Sequence, residues 1–265
     1  MTEVLAKGVD ISEFQHENLI DWGYARAELG ILFAYARACY GVRPDKLTAR
    51  HISRIRSAGV TPGLYHFFRP DLDVGKQLEV LGSICGATNI GAGDLLVAVD
   101  VEAWPDKWEN GRATHWAQPN PSWCGPLREF VERIAEQFGG PVIYETQADW
   151  MKLGRPDWLL AYPQWVAHWP AKGSKAVLER PATPGNVQWA FWQQLVDPLD
   201  KVVFQDPTAK GAVDQDVARL PLPVIGDPVP ELAPIEPDLI PLTLDPETTS
   251  AMLAERNRAI AELEF

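Results

Sequence analysis

The chain has 265 residues, 46% hydrophobic and 23% charged, enough for one sizeable core and ordinary for an α/β barrel, which takes about 250. Its formal net charge of −12 argues against nucleic acid as a partner, because phosphate backbones are held by basic surfaces. Three cysteines, Cys39, Cys85 and Cys124, form no CxxC pair, so they read as buried thiols in a protein made in a reducing compartment and not as a disulfide framework or zinc site. The opening MTEVLAKGVDISEFQ lacks a basic stretch followed by an apolar run, so the expectation is no signal peptide and synthesis in the cytoplasm. No apolar run approaches the roughly 18 residues of a membrane span, so no membrane partner is expected.

In chain order, AKGVDIS (6–12) reads as a first strand and 21–29 as a helix. ILFAYARACYG (31–41) is a second strand, and the helix over 45–59 ends at Gly59, a natural C-terminal cap. TPGLYHFF (61–68) is a third strand, followed by an amphipathic helix over 71–85 with Leu72, Leu78, Leu81 and Ile84 inward. DLLVAVDVE (94–102) is the fourth strand. A Trp- and Pro-rich loop is expected over 103–121, then a helix near 122–138. PVIYET (141–146), PQWVAHWP (163–170) and VQWAFWQQ (187–194) give three more strands, and a short element near 211–218, of open direction, closes the set.

Strands alternating with helices favour a barrel or a doubly wound sheet. Polar residues gather where the strands end: Asp10, Tyr65 with His66, Asp100 with Glu102, and Tyr144. Those ends form the active face of a parallel barrel. A nucleotide-binding sheet would carry a glycine-rich turn after its first strand; GVDISEFQ has none, so the barrel is preferred.

Asp100 and Glu102 end a strand that is otherwise Leu, Val and Ala. Residues i and i+2 share a face, with Cα atoms about 6.6 Å apart at roughly 3.3 Å per residue. Two acids so placed should separate in proton affinity, one able to donate and the other anionic, which is what glycoside cleavage requires. The competing reading is a structural pair neutralised by an arginine such as Arg37. Metal is disfavoured: the five histidines are scattered, and HENLI (16–20) lacks the second histidine of a zinc helix. No GxSxG supports a serine nucleophile, and the cysteines lie in apolar segments. The eleven tryptophans suit a sugar-binding rim or a core equally well.

Taken in order, these segments resemble glycoside hydrolase family 25, the muramidases found in bacteria and among phage endolysins. KGVDISEFQ is similar to the family's opening D-x-S-x-x-Q, with Asp10, Ser12 and Gln15 in register. GLYHFF, VAVDVE, VIYET, QWVAHW, FWQQ and AVDQD resemble its later strands. The resemblance covers about residues 7–220 and implies an irregular (β/α)8 barrel that cleaves the β-1,4 bond between N-acetylmuramic acid and N-acetylglucosamine in peptidoglycan. It also implies Glu102 as general acid/base and Asp100 as the residue orienting the substrate's own 2-acetamido group. Asp10 and Asp214 would complete the acidic floor, Asp216 being set aside because it matches the family's Asn. Tyr65, Tyr144, Trp165, Gln193 and Trp104 would line the sugar site, and neither metal nor cofactor is implied. Trp169 and Gln194 depart from the family's usual Tyr residues, and the 103–121 loop is longer than typical. The earlier acids of a chitinase motif are replaced by Leu95 and Ala98. A barrel that binds wall glycan without cutting it, or serves as a structural part of a virion, is the rival reading.

Residues 221–265 carry nine acidic and two basic side chains, a net of −7 that leaves −5 for residues 1–220. The repeated prolines of 221–244 predict an extended spacer. DPETTSAMLAERNRAIAELEF (245–265) predicts a helix capped by Asp245, with Leu253, Ile260 and Leu263 as a stripe for docking or for a homo-oligomer.

Overall fold

A computed structural model describes residues 5–15, 20–109, 112–169, 178, 180–196 and 213–228. The predicted helix at 245–265 and its oligomerisation role lie outside these residues, as does most of HENLI.

The chain alternates β1 (Leu5–Ile11), α1 (Trp22–Ala27), β2 (Ile31–Tyr40), a short β3 (Arg43–Pro44), α2 (Thr48–Ser57), β4 (Thr61–Phe67), α3 (Val74–Thr88) and β5 (Ala98–Asp100). There follow β6 (Trp104–Glu109), β7 (Arg112–Ala117), α4 (Cys124–Phe138), β8 (Val142–Glu145), α5 (Gln147–Lys152), β9 (Gln164–Ala167), β10 (Trp189–Val196) and β11 (Asp214–Arg219). The main sheet runs β1-β11-β10-β9-β8-β5-β4-β2-β3, and pairing of β1 with β2 closes it into an eight-stranded barrel with β3 attached outside. Within the barrel all neighbours are parallel except β11, which is antiparallel to both β10 and β1, and the outer β3 runs antiparallel to β2. The closing strand therefore enters at the end where the other seven finish, so its first residues reach the active face.

Alternation along the strands divides two cores. Phe33, Tyr35, Leu96, Ala98, Tyr144 and Trp165 fill the barrel interior. Ala34, Ala36, Ala38, Val97, Val99 and Ile143 face the helices. Small residues on the outer face of β2 let helices approach, while its aromatics occupy the interior. Glycine makes room for them: a Cβ on Gly8 would overlap the Phe33 ring, and one on Gly63 would lie 2.6 Å from Tyr35. In α4 the buried Leu127, Phe130, Val131 and Ile134 repeat at helical spacing, and Gly139 ends the helix at φ 85°. In α3 the Asp73 carboxylate accepts the Lys76 N–H as N-cap, and Asn89 closes the other end at φ 51°.

Two expectations are corrected. The 103–121 segment is not a plain loop: β6 and β7 form an antiparallel hairpin with Glu109 opposite Arg112. Its missed sequence signal was Asn110-Gly111, a two-residue hairpin dipeptide between alternating segments. The proline-rich stretch also does not begin as a spacer at 221. Leu96 N–H donates to Pro223 O at 3.1 Å, Ile225 N–H to Asp94 O at 2.8 Å and Gly93 N–H to Ile225 O at 2.9 Å. Leu222, Val224 and Ile225 pack on the inner core. Leu and Val between the prolines are apolar enough to cover the barrel's base, and this outweighs the extended preference of the prolines.

Candidate active site

β5 ends in Asp100, which is 4% exposed and shares the inward face with Leu96 and Ala98. The alternation continues through Val101, whose N–H donates to Tyr144 O at 2.9 Å, and this places Glu102 on the same side as Asp100. Glu102 is 3% exposed. Both acids are thus held by rigid backbone at the carboxyl end of a parallel strand. Arg37, the cation that could have neutralised them, is committed elsewhere: its Nε donates to Asp45 at 3.1 Å and its Nη2 lies 3.5 Å from Glu13. Arg43 adds a second ion pair to Glu13 at 2.7 Å.

The opening motif does local work around Asp10. Ser12 N–H donates to Gln15 Oε1 at 2.8 Å, and Glu13 N–H to Asp45 Oδ2 at 2.8 Å, which pins the turn after β1 to the β2 side of the mouth. Asp10 pairs in register with Asp214, and Gly8 with Asp216. Gln193 of β10 is fully enclosed. Its amide donates to Asp10 Oδ2 at 2.6 Å and to Asp214 Oδ2 at 3.3 Å. Its Oε1 is left to accept the Tyr144 hydroxyl at 3.0 Å. Gln193 therefore orients acids, and contributes no open face to a ligand.

The aromatic residues form the floor. Trp165 is 2% exposed, stacks on Tyr35 at 4.6 Å and meets Tyr144 edge-on at 5.0 Å. Its indole Nε1 donates to Asp216 Oδ1 at 2.8 Å. Tyr65 borders Trp165 at 6.3 Å. Trp104 belongs to a different place: it sits in the outer core, 4.5 Å from Trp123, with the Arg69 guanidinium 4.7 Å over its ring. Its ring faces are taken up in anchoring the hairpin that follows Glu102. Asp216, set aside in the sequence reading, is 2% exposed and lies beneath Asp10 and Asp214. Its burial, and next the charge of Asp10, hold its carboxyl well above the usual carboxylate range.

A cysteine–histidine–glutamine line also exists, and it is closed to substrate. Cys39 Sγ lies 2.9 Å from His66 Nδ1, and His66 Nε2 lies 3.0 Å from Gln77 Oε1. The Gln77 amide nitrogen donates to Arg69 O and Leu72 O, so its oxygen faces His66, which fixes the proton on Nε2 and makes the thiol the donor. Burial raises the Cys39 thiol and lowers His66 to about 4. A neutral pair, entirely enclosed, ties β2, β4 and α3 together and offers no nucleophile. No group of three or more metal-ligating side chains suited to an ion occurs among the described residues.

One buried acid stands apart from the site. Glu145 faces the helix layer, and neither of its oxygens has a hydrogen-bond partner among the described residues. Burial first, then the neighbouring Asp149, raise its pKa well above normal. Lys152 is engaged by Asp149 at 3.2 Å. Unfolded chain releases this proton near pH 4.5 while the folded form keeps it, so this group makes stability fall as pH rises above that value. Glu145→Leu is expected to stabilise the protein by about 1–3 kcal/mol at pH 7. Urea titrations at pH 7 and pH 5 should show the gain shrinking at the lower pH; a variant less stable than wild type at pH 7 refutes the assignment.

The model of the glycosyl hydrolases family 25 matches residues 9–195, which takes in Asp10, Asp100, Glu102 and Gln193 and stops short of β11. Lysozyme M1 of Streptomyces globisporus is 28% identical over 195 residues, 71% of this chain and 60% of that protein. The chain thus spans about 60% of the length of that curated relative. Among solved structures, the bacterial lysozyme of Streptomyces coelicolor aligns with a TM-score of 0.62 at 24% identity, covering 80% of this chain and 90% of that one. A family 25 glycosyl hydrolase from Bacillus anthracis aligns at 0.59 and 21%, covering 80% and 88%. These structural likenesses carry the fold; the family match runs through most of the barrel and across the acid-bearing strand, and the chain belongs to glycosyl hydrolases family 25.

Proposed function

We propose that this chain is a muramidase, hydrolysing the β-1,4 bond between N-acetylmuramic acid and N-acetylglucosamine in peptidoglycan. The observation that carries the reading is the Asp100–Glu102 pair: two enclosed acids on one face of one strand end, with Arg37 occupied by other partners. The lysozyme relative from Streptomyces supports the substrate class.

Glu102 protonates the departing glycosidic oxygen. Asp100 holds the N–H of the substrate's 2-acetamido group, whose carbonyl oxygen attacks the anomeric carbon of its own sugar and displaces the leaving group. Glu102, now a carboxylate, then takes a proton from the water that opens the cyclic intermediate, so configuration is retained. A nucleophile supplied by the sugar explains why both working acids stand on a single strand. Acid–base chemistry of this kind asks for no cofactor. Asp10 and Asp214, tied by Gln193, supply negative charge to the floor beside the positive charge that develops at the anomeric centre.

Purified peptidoglycan digested with the protein, then reduced with borohydride, should yield muramicitol as the new end. Glucosaminitol instead would overturn the bond assignment. Retention on the wall without any new reducing end would make the protein a silent glycan-binding barrel.

A further inference from the structure

Asp216 cannot be an ordinary carboxylate where it stands. It is 2% exposed, and Trp165 Nε1 supplies its Oδ1 with one neutral donor. Its Oδ2 meets no N–H or O–H donor among the described residues. The charged groups that face it are the acids Asp10 on β1 and Asp214 on β11, both of which raise its pKa. Tyr35 on β2 is its remaining titratable neighbour, and that hydroxyl already donates to Leu96 O at 2.9 Å. Its other close partner, Trp165, is neutral, as is Gln193, opposite it on β10. A buried anion with one neutral hydrogen bond and only negative neighbours is among the costliest arrangements a fold can hold.

We propose that Asp216 carries a proton and donates it in a hydrogen bond to Asp10, so that it acts as a positioning residue fixing Asp10 as an oriented anion under the catalytic acids. The two side chains are within hydrogen-bonding contact, which two ionised carboxylates could not share. Asp10 then accepts from both flanks, from Gln193 Nε2 at 2.6 Å on one side and Asp216 on the other. The line Trp165–Asp216–Asp10–Gln193–Tyr144 is satisfied throughout with a single proton added. Without that proton, the two carboxylates would share their contact with no hydrogen between them. The inference deepens the muramidase reading, and only its rate measurement depends on that reading.

The test uses the full chain in two ways. With aspartate carboxyl carbons labelled for NMR, one resonance, absent from D216N, should stay in the neutral position through the range near pH 4 where exposed aspartates ionise. On peptidoglycan, D216A, which removes the donor, should lose on the order of ten- to a hundredfold in turnover. D216N, which restores an N–H donor and cannot ionise, should recover most of that loss. An Asp216 resonance that titrates with the exposed aspartates overturns the proposal, as does D216N being as impaired as D216A. If D216A does not fold, the carbon titration of wild type against D216N decides alone. Wild-type protein inert on peptidoglycan would count against the muramidase reading and leave that titration to judge Asp216.

Discussion

Glu102→Gln should leave the barrel folded and cut the release of reducing ends from peptidoglycan by about 10²–10⁴-fold, the usual contribution of a general acid–base group. The amide keeps the size and most of the hydrogen-bonding capacity of the acid, so the enclosed strand end should tolerate it. It has no proton to give the leaving oxygen and no lone pair basic enough to activate water, so both chemical steps suffer. On the proposed mechanism the same change in Asp100 should act differently: Asn would keep contact with the acetamido group but lose the charge that draws its N–H, and turnover should fall with little change in wall binding. Initial rates on purified walls, alongside thermal melts of each variant, separate chemistry from folding. Wild-type turnover in a folded Glu102→Gln protein would leave the acid pair without a role.

The strand order and the acid pair were legible because both are written in local pattern. Leu95 to Val101 read as a buried strand, of which Ala98–Asp100 form the ladder, and the period of two places Asp100 and Glu102 together whatever the rest of the chain does. The meeting of Asp10 with Asp214 was legible only through resemblance, since an acid at a strand end says nothing about which distant strand it meets. The direction of β11 decides that meeting, and no feature of AVDQDVA encodes it. Asp216 is set aside by the resemblance, which puts it at the family's Asn, and no local feature restores it. Its meaning comes from enclosure beneath Asp10 and from Trp165, residues 206 and 51 positions away in the chain. Trp104 shows the converse, an aromatic two residues after Glu102 that looked suited to a sugar and is spent on Trp123 and Arg69. Composition could not divide indoles that stack on ligand from indoles that pack. At the base of the barrel the proline content predicts an extended spacer, and the apolar Leu222, Val224 and Ile225 between the prolines outweigh it.

That base gives the second large effect. A chain ending at Leu220 should be about 3–6 kcal/mol less stable than one ending at Pro228, a substantial share of the roughly 5–15 kcal/mol that holds a typical domain. Leu222, Val224 and Ile225 are partly buried against the inner core, where Leu95 and Leu96 are at most 1% exposed. Removing the segment returns those leucines to water and leaves the N–H groups of Gly93 and Leu96 without the carbonyls of Ile225 and Pro223. Neither loss touches Asp100, which lies at the carboxyl end of β5 while these residues precede the strand, so the folded fraction of the shorter chain should keep its turnover while melting well below the longer one. Equal melting temperatures for the two truncations would show that the segment is a spacer after all. Unequal melting with equal turnover would place a stabilising strap at the base and the chemistry at the mouth.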